Sequence, residues 1–236
     1  MIEEVRSLVF ELMNDNNNGH GNDHIKRVNR LALNFSKKEG ANEIIVSLAS
    51  LLHDVDDYKI VGIDKSLEQI NAREIMAKAN INENIQKEVL NIISNMGYSK
   101  LLKGIRPTTL EGKIVSDADM CDAIGASGII RSIVYAVSSK GNGRIFDKEV
   151  YPNVNISSLE YNVNDTTHDT DGAVNHFFEK LLKLKDLMLT ESGYKEAIAR
   201  HYLMVNFLEQ LFIEEDAPEW KCFLEEYLKR ENKRQL

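Results

Sequence analysis

The stretch Ala49-Ser50-Leu51-Leu52-His53-Asp54-Val55-Asp56-Asp57-Tyr58-Lys59 begins as an apolar run that reads as a buried helix. It then sets an imidazole beside a carboxylate and adds two more carboxylates. Charge carried into an apolar element costs on the order of several kcal/mol unless it is paired or bound to a metal. Adjacent helical residues do not share a face, but at a helix end two neighbours can converge on an ion beyond the terminus. His53-Asp54 therefore requires partners from elsewhere in the chain. Of the other histidines (His20, His24, His168, His176 and His201), His24 falls in the first turn of an expected helix. Asp119 lies inside a long apolar helical segment with Asp117 and Asp122 nearby. Two imidazoles and two carboxylates on separate helices make a divalent metal site. Mixed N/O donors suit Mn, Mg, Co, Ni, Fe or Zn rather than a thiolate zinc site. Open positions on such an ion hold water and an anionic oxygen, lowering the pKa of the water and neutralising charge on a phosphoryl group.

The elements that must carry these residues are helices. Apolar positions at Val5, Leu8, Val9, Leu12 and Met13 give a helix over 2–14, and a turn-rich break follows to Gly21. Asp23 is the expected N-cap of a second helix with the stripe Ile25, Val28, Leu31, Ala32 and Phe35, ending at Lys37-Lys38-Glu39-Gly40. A third runs from about Asn42 to His53-Asp54, a fourth covers about 65–79 and a fifth 82–95. A turn at Arg106-Pro107-Thr108-Thr109, with a Thr as cap, leads into a long helical segment from Leu110 to about Ser139. Residues 140–172 are polar, with no sustained helical period. That is too long for an ordinary connector, so they form a functional loop or are disordered. Helices over 174–189, 191–213 and 219–229 complete the chain. The expectation is one all-α domain over 1–236, a helical bundle with its metal-site core at about 18–140 and C-terminal helices at about 173–230.

Composition narrows the function classes. Net charge is −8 with no dense Lys/Arg block, which argues against nucleic-acid binding through a basic face. No apolar run reaches the roughly 18–20 residues that span a bilayer, and the acidic start at Met1-Ile2-Glu3-Glu4 lacks a signal-peptide pattern. Cys121 and Cys222 form no CxxC pair, consistent with free thiols in a cytoplasmic protein.

The order His, then His-Asp, then Asp resembles the HD-domain metal-dependent phosphohydrolases. The resemblance extends over nearly the whole chain through Gly19-His20, His24-Ile25-Lys26-Arg27-Val28, Leu51–Lys59, Asp117–Gly125 and Asn175–Leu181. These blocks look like the small bacterial HD phosphohydrolases of the YedJ/YpgQ type. The resemblance implies one divalent metal ion held by His24, His53, Asp54 and Asp119, Asp119 being the aspartate of the Ala-Asp-x-x-Asp stretch. Met120 and Cys121 stand where the family has a basic residue and a leucine, a departure that bears on substrate contacts rather than on metal. Asp57, three residues after Asp54 and four after His53, shares their face if the helix continues. The resemblance makes it the general base or water-orienting group. Arg27 and Lys59 are candidates for holding phosphate oxygens, and His20 for lining the pocket or donating to a leaving oxygen. Asn175 and His176 are brought toward the substrate by the family likeness. The implied substrate is a small phosphorylated molecule, a nucleotide or deoxynucleotide.

Structural alternatives stand beside these roles. Asp117 reads as a cap or an acceptor behind the ligands, Arg27 as an ion-pair partner for a buried carboxylate such as Asp54, and His20 as a solvent-facing loop residue. His168 and His201 read as ordinary, and Cys121 as core packing. Two rival functions remain open. One is a di-iron oxygenase, disfavoured because residues 60–116 contain no histidine. The other is a non-enzymatic helical sensing or interaction module with a structural metal.

Overall fold

The computed structural model describes residues 1–14, 21–57, 61–138, 141, 143–154 and 172–233. Among the described residues every regular element is helical, and no single helix is long and apolar enough to cross a membrane. In chain order the helices are α1 (Ile2–Leu12), α2 (Asn22–Glu39), α3 (Glu43–Leu52), α4 (Ile63–Glu68), α5 (Ile70–Lys78), α6 (Glu83–Ser94) and α7 (Tyr98–Leu102). They continue with α8 (Leu110–Asp122), α9 (Gly125–Val137), α10 (Ala173–Glu179), a 3-10 stretch (Leu181–Leu187), α11 (Glu191–Glu214) and α12 (Pro218–Lys233). They gather into two compact units, Met1–Asp122 with Leu187–Glu196, and Ala123–Asp186 with Ala197–Leu236.

The first unit is built around α3. Every residue from Ile45 to Leu52 is buried, so this helix is enclosed on all sides, as its largely apolar sequence demands. It packs against α1, α2, α6 and α8. Asn42 starts it by accepting from the Ile44 and Ile45 amides at 3.0 and 3.4 Å. Its two interior serines are satisfied by a buried polar tie. Asn29 of α2 donates to Ser50 Oγ at 2.8 Å and to the Ser47 carbonyl at 3.3 Å, and Ser50 donates to the Val46 carbonyl at 2.7 Å. A buried network of this kind tolerates one relative placement of its helices. It therefore fixes α2, which carries His24, against α3, which ends at His53.

Several boundaries differ from the sequence expectations, each for a local reason. The second helix begins at Asn22, so the expected cap Asp23 lies inside its first turn. The N-cap is Gly21, which has no side chain to accept, and the Asn22 side-chain amide donates to the Phe10 carbonyl (2.9 Å), tying α2 to α1. It ends as expected at Gly40, in the left-handed conformation with φ 73°. The expected helix over 65–79 is two helices, broken where Gln69 takes φ 53°. The second of them starts afresh because Asp56 accepts from the Asn71 and Ala72 amides at 3.0 and 2.8 Å, supplying a cap from outside the local sequence. The segment 110–139 is interrupted after Asp122, with Gly125 at φ 76°. The short α7 follows Gly97 and was not expected.

In the second unit the aromatic core is centred on Trp220. Its indole donates to the Lys148 carbonyl at 3.0 Å, and Tyr151 stacks on it at 4.7 Å, with Phe146, Phe178, Phe212 and Phe223 around it. The Ala173 and Val174 amides at the start of α10 donate to the carbonyls of Arg144 and Ile145. Part of the segment expected to be a functional or disordered loop is thus packed framework, while 155–171, including His168, lie outside the described residues. The helix expected over 174–189 gives way at Lys180 to a 3-10 stretch burying Leu181, Leu182 and Leu184.

One contact decides how α8 is held in the first unit. Asp117 accepts from the Leu189 amide (2.9 Å), the Thr190 amide (2.8 Å) and the Thr190 hydroxyl (2.7 Å), while Thr190 caps α11 through the Gly193 amide at 3.0 Å. A Cβ on Gly193 would overlap the Asp117 carboxylate. Gly193→Ala is therefore expected to lower stability by about 1–3 kcal/mol, the usual cost of overpacking, in a urea unfolding titration. An unchanged midpoint would show that the clamp yields freely.

Candidate metal centre

Three elements deliver the polar side chains. His24 lies one turn into α2, His53 closes α3 with Asp54 next in the chain, and Asp119 sits on α8. The helix does not continue past Leu52. Val55 and Asp57 donate back to the Leu52 and Asp54 carbonyls in turns, so the regular helical face that would carry Asp57 alongside His53 and Asp54 does not form. On α8, Asp117 and Asp119 are two residues apart and point to opposite sides, whereas Asp119 and Asp122 share a side. Asp117 is thus spent on Leu189 and Thr190, and Asp119 faces the histidines.

The donor atoms converge tightly. His24 Nε2 lies 3.1 Å from His53 Nε2, 3.3 Å from Asp54 Oδ2 and 3.4 Å from Asp119 Oδ1. His53 Nε2 lies 3.4 Å from Asp54 Oδ2 and 3.7 Å from Asp119 Oδ1. Donors bound at about 2.1 Å to one ion in octahedral or tetrahedral geometry stand about 3.0–3.5 Å apart, close to what is seen. His24, His53 and Asp119 in particular form a cluster able to hold a metal ion.

The tautomers say the same. His24 Nδ1 donates to Asp122 Oδ2 at 2.7 Å, and His53 Nδ1 donates to the Ser50 carbonyl at 2.9 Å. A carboxylate or carbonyl oxygen can only accept, so each neutral ring carries its proton on Nδ1 and turns the Nε2 lone pair inward. Two lone pairs and two carboxylates facing one another form an all-acceptor cluster that only a cation relieves. A proton is the smallest such cation. Burial works against it, but the carboxylates of Asp119, Asp122 and Asp54 outweigh burial and raise His24 well above the ordinary histidine value. Burial likewise pushes Asp119 up, and the hydrogen bond and charge of His24, with the charge of His53, more than reverse it. The Asp119 side chain keeps 28% of its surface exposed, against 3% for His24 and 2% for His53, so the cluster opens to solvent on the Asp119 side.

Asp122 was not expected to matter and is central. It is almost fully buried and pairs with Arg27 through Nε at 2.7 Å and Nη2 at 3.0 Å, besides accepting from His24. Burial would raise its pKa, but His24 and Arg27 hold it well below the usual carboxylate range. A signal for it existed in the sequence: Arg27 follows His24 by three residues and Asp122 follows Asp119 by three, so each sits on the same helical side as a metal-cluster residue. The sequence reading of Arg27 as an ion-pair partner thus holds with Asp122, not Asp54, as the carboxylate. Asp57 is half-buried, and its charge acts on Lys100, whose ammonium burial pulls down in pKa. Lys100 also donates to the Ser94 carbonyl. His20 and Lys59 lie outside the described residues. Asn175 and His176 are on α10 in the second unit, where the Asn175 amide donates to the Val150 carbonyl at 2.9 Å.

The comparison with known proteins matches this geometry to a family. The HD-domain profile matches residues 22–124, a range that contains every member of the cluster. YpgQ of Bacillus subtilis is 33% identical over 219 residues, covering 92% of this chain and 93% of YpgQ. The chain belongs to the HD-domain family. Among solved structures, a Lactobacillus plantarum protein is 32% identical with a TM-score of 0.76, covering 92% of this chain and 97% of its own. An HD-superfamily hydrolase from Bacillus thuringiensis is 34% identical with a TM-score of 0.71, with the same coverage. B. subtilis YpgQ has been crystallised in complex with ADP, and its structure superposes with a TM-score of 0.67 at 28% identity over 91% of this chain and 97% of that one. The all-α fold expected from the sequence is the fold of these HD proteins.

The two aspartates of α8 can be separated experimentally. Binding a divalent ion at 100 times its Kd stabilises the folded chain by about 2.7 kcal/mol, so Mn(II) or Co(II) is expected to raise the melting temperature of the wild type. Asp119→Asn should lose most of that response. Asp117→Asn should melt lower throughout yet keep it. Equal metal responses in the two variants would contradict the geometry.

Proposed function

We propose that the chain is a metal-dependent phosphohydrolase acting on a small phosphorylated substrate, a nucleotide or deoxynucleotide. The observation that carries this is the convergence of His24 Nε2 and His53 Nε2, 3.1 Å apart, with Asp54 Oδ2 and Asp119 Oδ1, each 3.3–3.7 Å from both imidazoles, in a cluster open to solvent on one side. Supporting it, the B. thuringiensis relative is described as an HD-superfamily hydrolase, and the YpgQ crystal holds ADP.

In this reading the four residues hold one divalent ion. When bound, that ion supplies Lewis-acid polarisation of a phosphoryl oxygen and acidifies a water. The protein residues divide the remaining work. An oxygen of the Asp57 carboxylate takes the proton of the attacking water; the turn after Leu52 sets its distance from the cluster. Arg27 has two of its guanidinium nitrogens committed to Asp122, so only the third is left to steady a phosphate oxygen. Lys59 and His20 are assigned to substrate by their place in the sequence, next to the His-Asp turn and ahead of His24. Asn175 and His176 are assigned to substrate by the family likeness alone.

The test is a panel of nucleoside mono-, di- and triphosphates and simple phosphate esters, assayed with Mn(II), Mg(II), Co(II) and Zn(II). Released phosphate and pyrophosphate are measured separately, so the cleaved bond is identified. Turnover of at least one nucleotide is expected, with His53→Ala and Asp54→Ala losing metal and turnover together. Turnover that survives in a metal-free preparation of either variant rejects the mechanism. Metal binding with silence across the panel rejects the hydrolase reading.

A further inference from the structure

We propose that Asp122 is a positioning residue for His24, with Arg27 fixing Asp122 in the orientation that task needs; this rests on the reading of His24 as a metal ligand. Asp122 is 1% exposed, and its two oxygens divide the work. Oδ1 accepts from Arg27 Nε at 2.7 Å, and Oδ2 accepts from both Arg27 Nη2 at 3.0 Å and His24 Nδ1 at 2.7 Å. The side-on guanidinium grips both oxygens and stops the carboxylate rotating about its Cβ–Cγ bond, which keeps Oδ2 in line with the ring N–H. A lysine, as a point charge, would leave that rotation free. If Asp122 merely tied α8 to α2, the Arg27 contacts would be enough; the additional short bond to Nδ1 is what sets the His24 tautomer and ring plane.

The two imidazoles of the cluster are therefore not equivalent. His53 is oriented by a neutral acceptor, the Ser50 carbonyl of its own helix at 2.9 Å. His24 is oriented by an ionised one from another helix, and a carboxylate behind Nδ1–H makes Nε2 the more basic donor. His53 keeps its geometry as long as α3 stays helical. The geometry of His24 depends on tertiary packing through Asp122 and Arg27, so perturbation at 122 should act on one imidazole and spare the other.

The experiment loads the full-length protein with Co(II) and records proton NMR in water, where each bound imidazole contributes one exchangeable, paramagnetically shifted Nδ1–H signal. Two such signals are expected in the wild type. Asp122→Ala should lose one to solvent exchange, keep the other, and bind Co(II) about 10–100-fold more weakly, the usual effect of removing such a partner. Asp122→Asn keeps one accepting oxygen but sets its amide N–H against Arg27 Nε–H and removes the charge. It should therefore retain the signal with faster exchange and bind Co(II) between the wild type and Asp122→Ala. If alanine at 122 prevents folding, as judged by circular dichroism of the metal-free protein, Arg27→Met is the milder probe and should speed exchange of the same signal only. Two persisting signals with unchanged affinity in Asp122→Ala, or unchanged exchange in Arg27→Met, overturn the proposal. A wild-type spectrum without two shifted imidazole protons instead rejects the ligand assignment itself, so the two failures are distinct.

Discussion

Two imidazole nitrogens lie 3.1 Å apart, each 3.3–3.7 Å from an oxygen of Asp54 and of Asp119, at the end of a helix that is buried from Ile45 to Leu52. Such a group of acceptors repels itself unless a cation sits among them. The first unit is arranged to hold it together regardless. The enclosure of α3 fixes where His53 emerges, the Asn29–Ser50–Ser47 tie fixes α2 beside it, and α8 packs against both. Stability of the surroundings thus offsets the cost of the site, as is usual where structure is held for chemistry.

The helix α8 shows how one element serves structure and site at once. Its three aspartates are spaced so that Asp119 and Asp122 face the histidines while Asp117 faces the Leu189–Gly193 segment. Burial raises the Asp117 pKa to about 6, against the hydroxyl and amide donors that hold it down. Each carboxylate is thus matched to donors of a different kind: amides and a hydroxyl for Asp117, imidazoles for Asp119, an imidazole and a guanidinium for Asp122. The close approach of Gly193 to Asp117 and the sulfur contact of Cys121 with the Gly193 carbonyl at 3.7 Å anchor the same helix on its other side.

The turn after α3 has a similar double use. His53 and Asp54 face the cluster, and two residues later Asp56 turns away to cap α5 through Asn71 and Ala72. Its carboxylate is raised by burial and lowered by those same amides. One short turn thus supplies two cluster residues and the cap of α5. It also positions Asp57, whose amide is bonded to the Asp54 carbonyl at 3.1 Å.

Helical periodicity and the glycine stop at Gly40 were enough to place α2, α3, α6 and α11 within a few residues, since these depend on side chains close in the chain. The order His24, His53-Asp54, Asp119 could be picked out as a candidate set, because charge inside apolar helices must be paired or bound to an ion and because these blocks resemble the HD-domain family. The break at Gln69 was not legible, since it depends on Asp56 and Leu90, which are remote in sequence. Neither was the role of Asp122, whose value lies in reaching His24 and Arg27 across 98 and 95 residues of chain. The sequence by itself determined which atoms can bind a cation and that helices would carry them. Only the tertiary structure decided which aspartate of α8 faces the imidazoles and what orients each ring, because both are set by the rotation of one helix against two others.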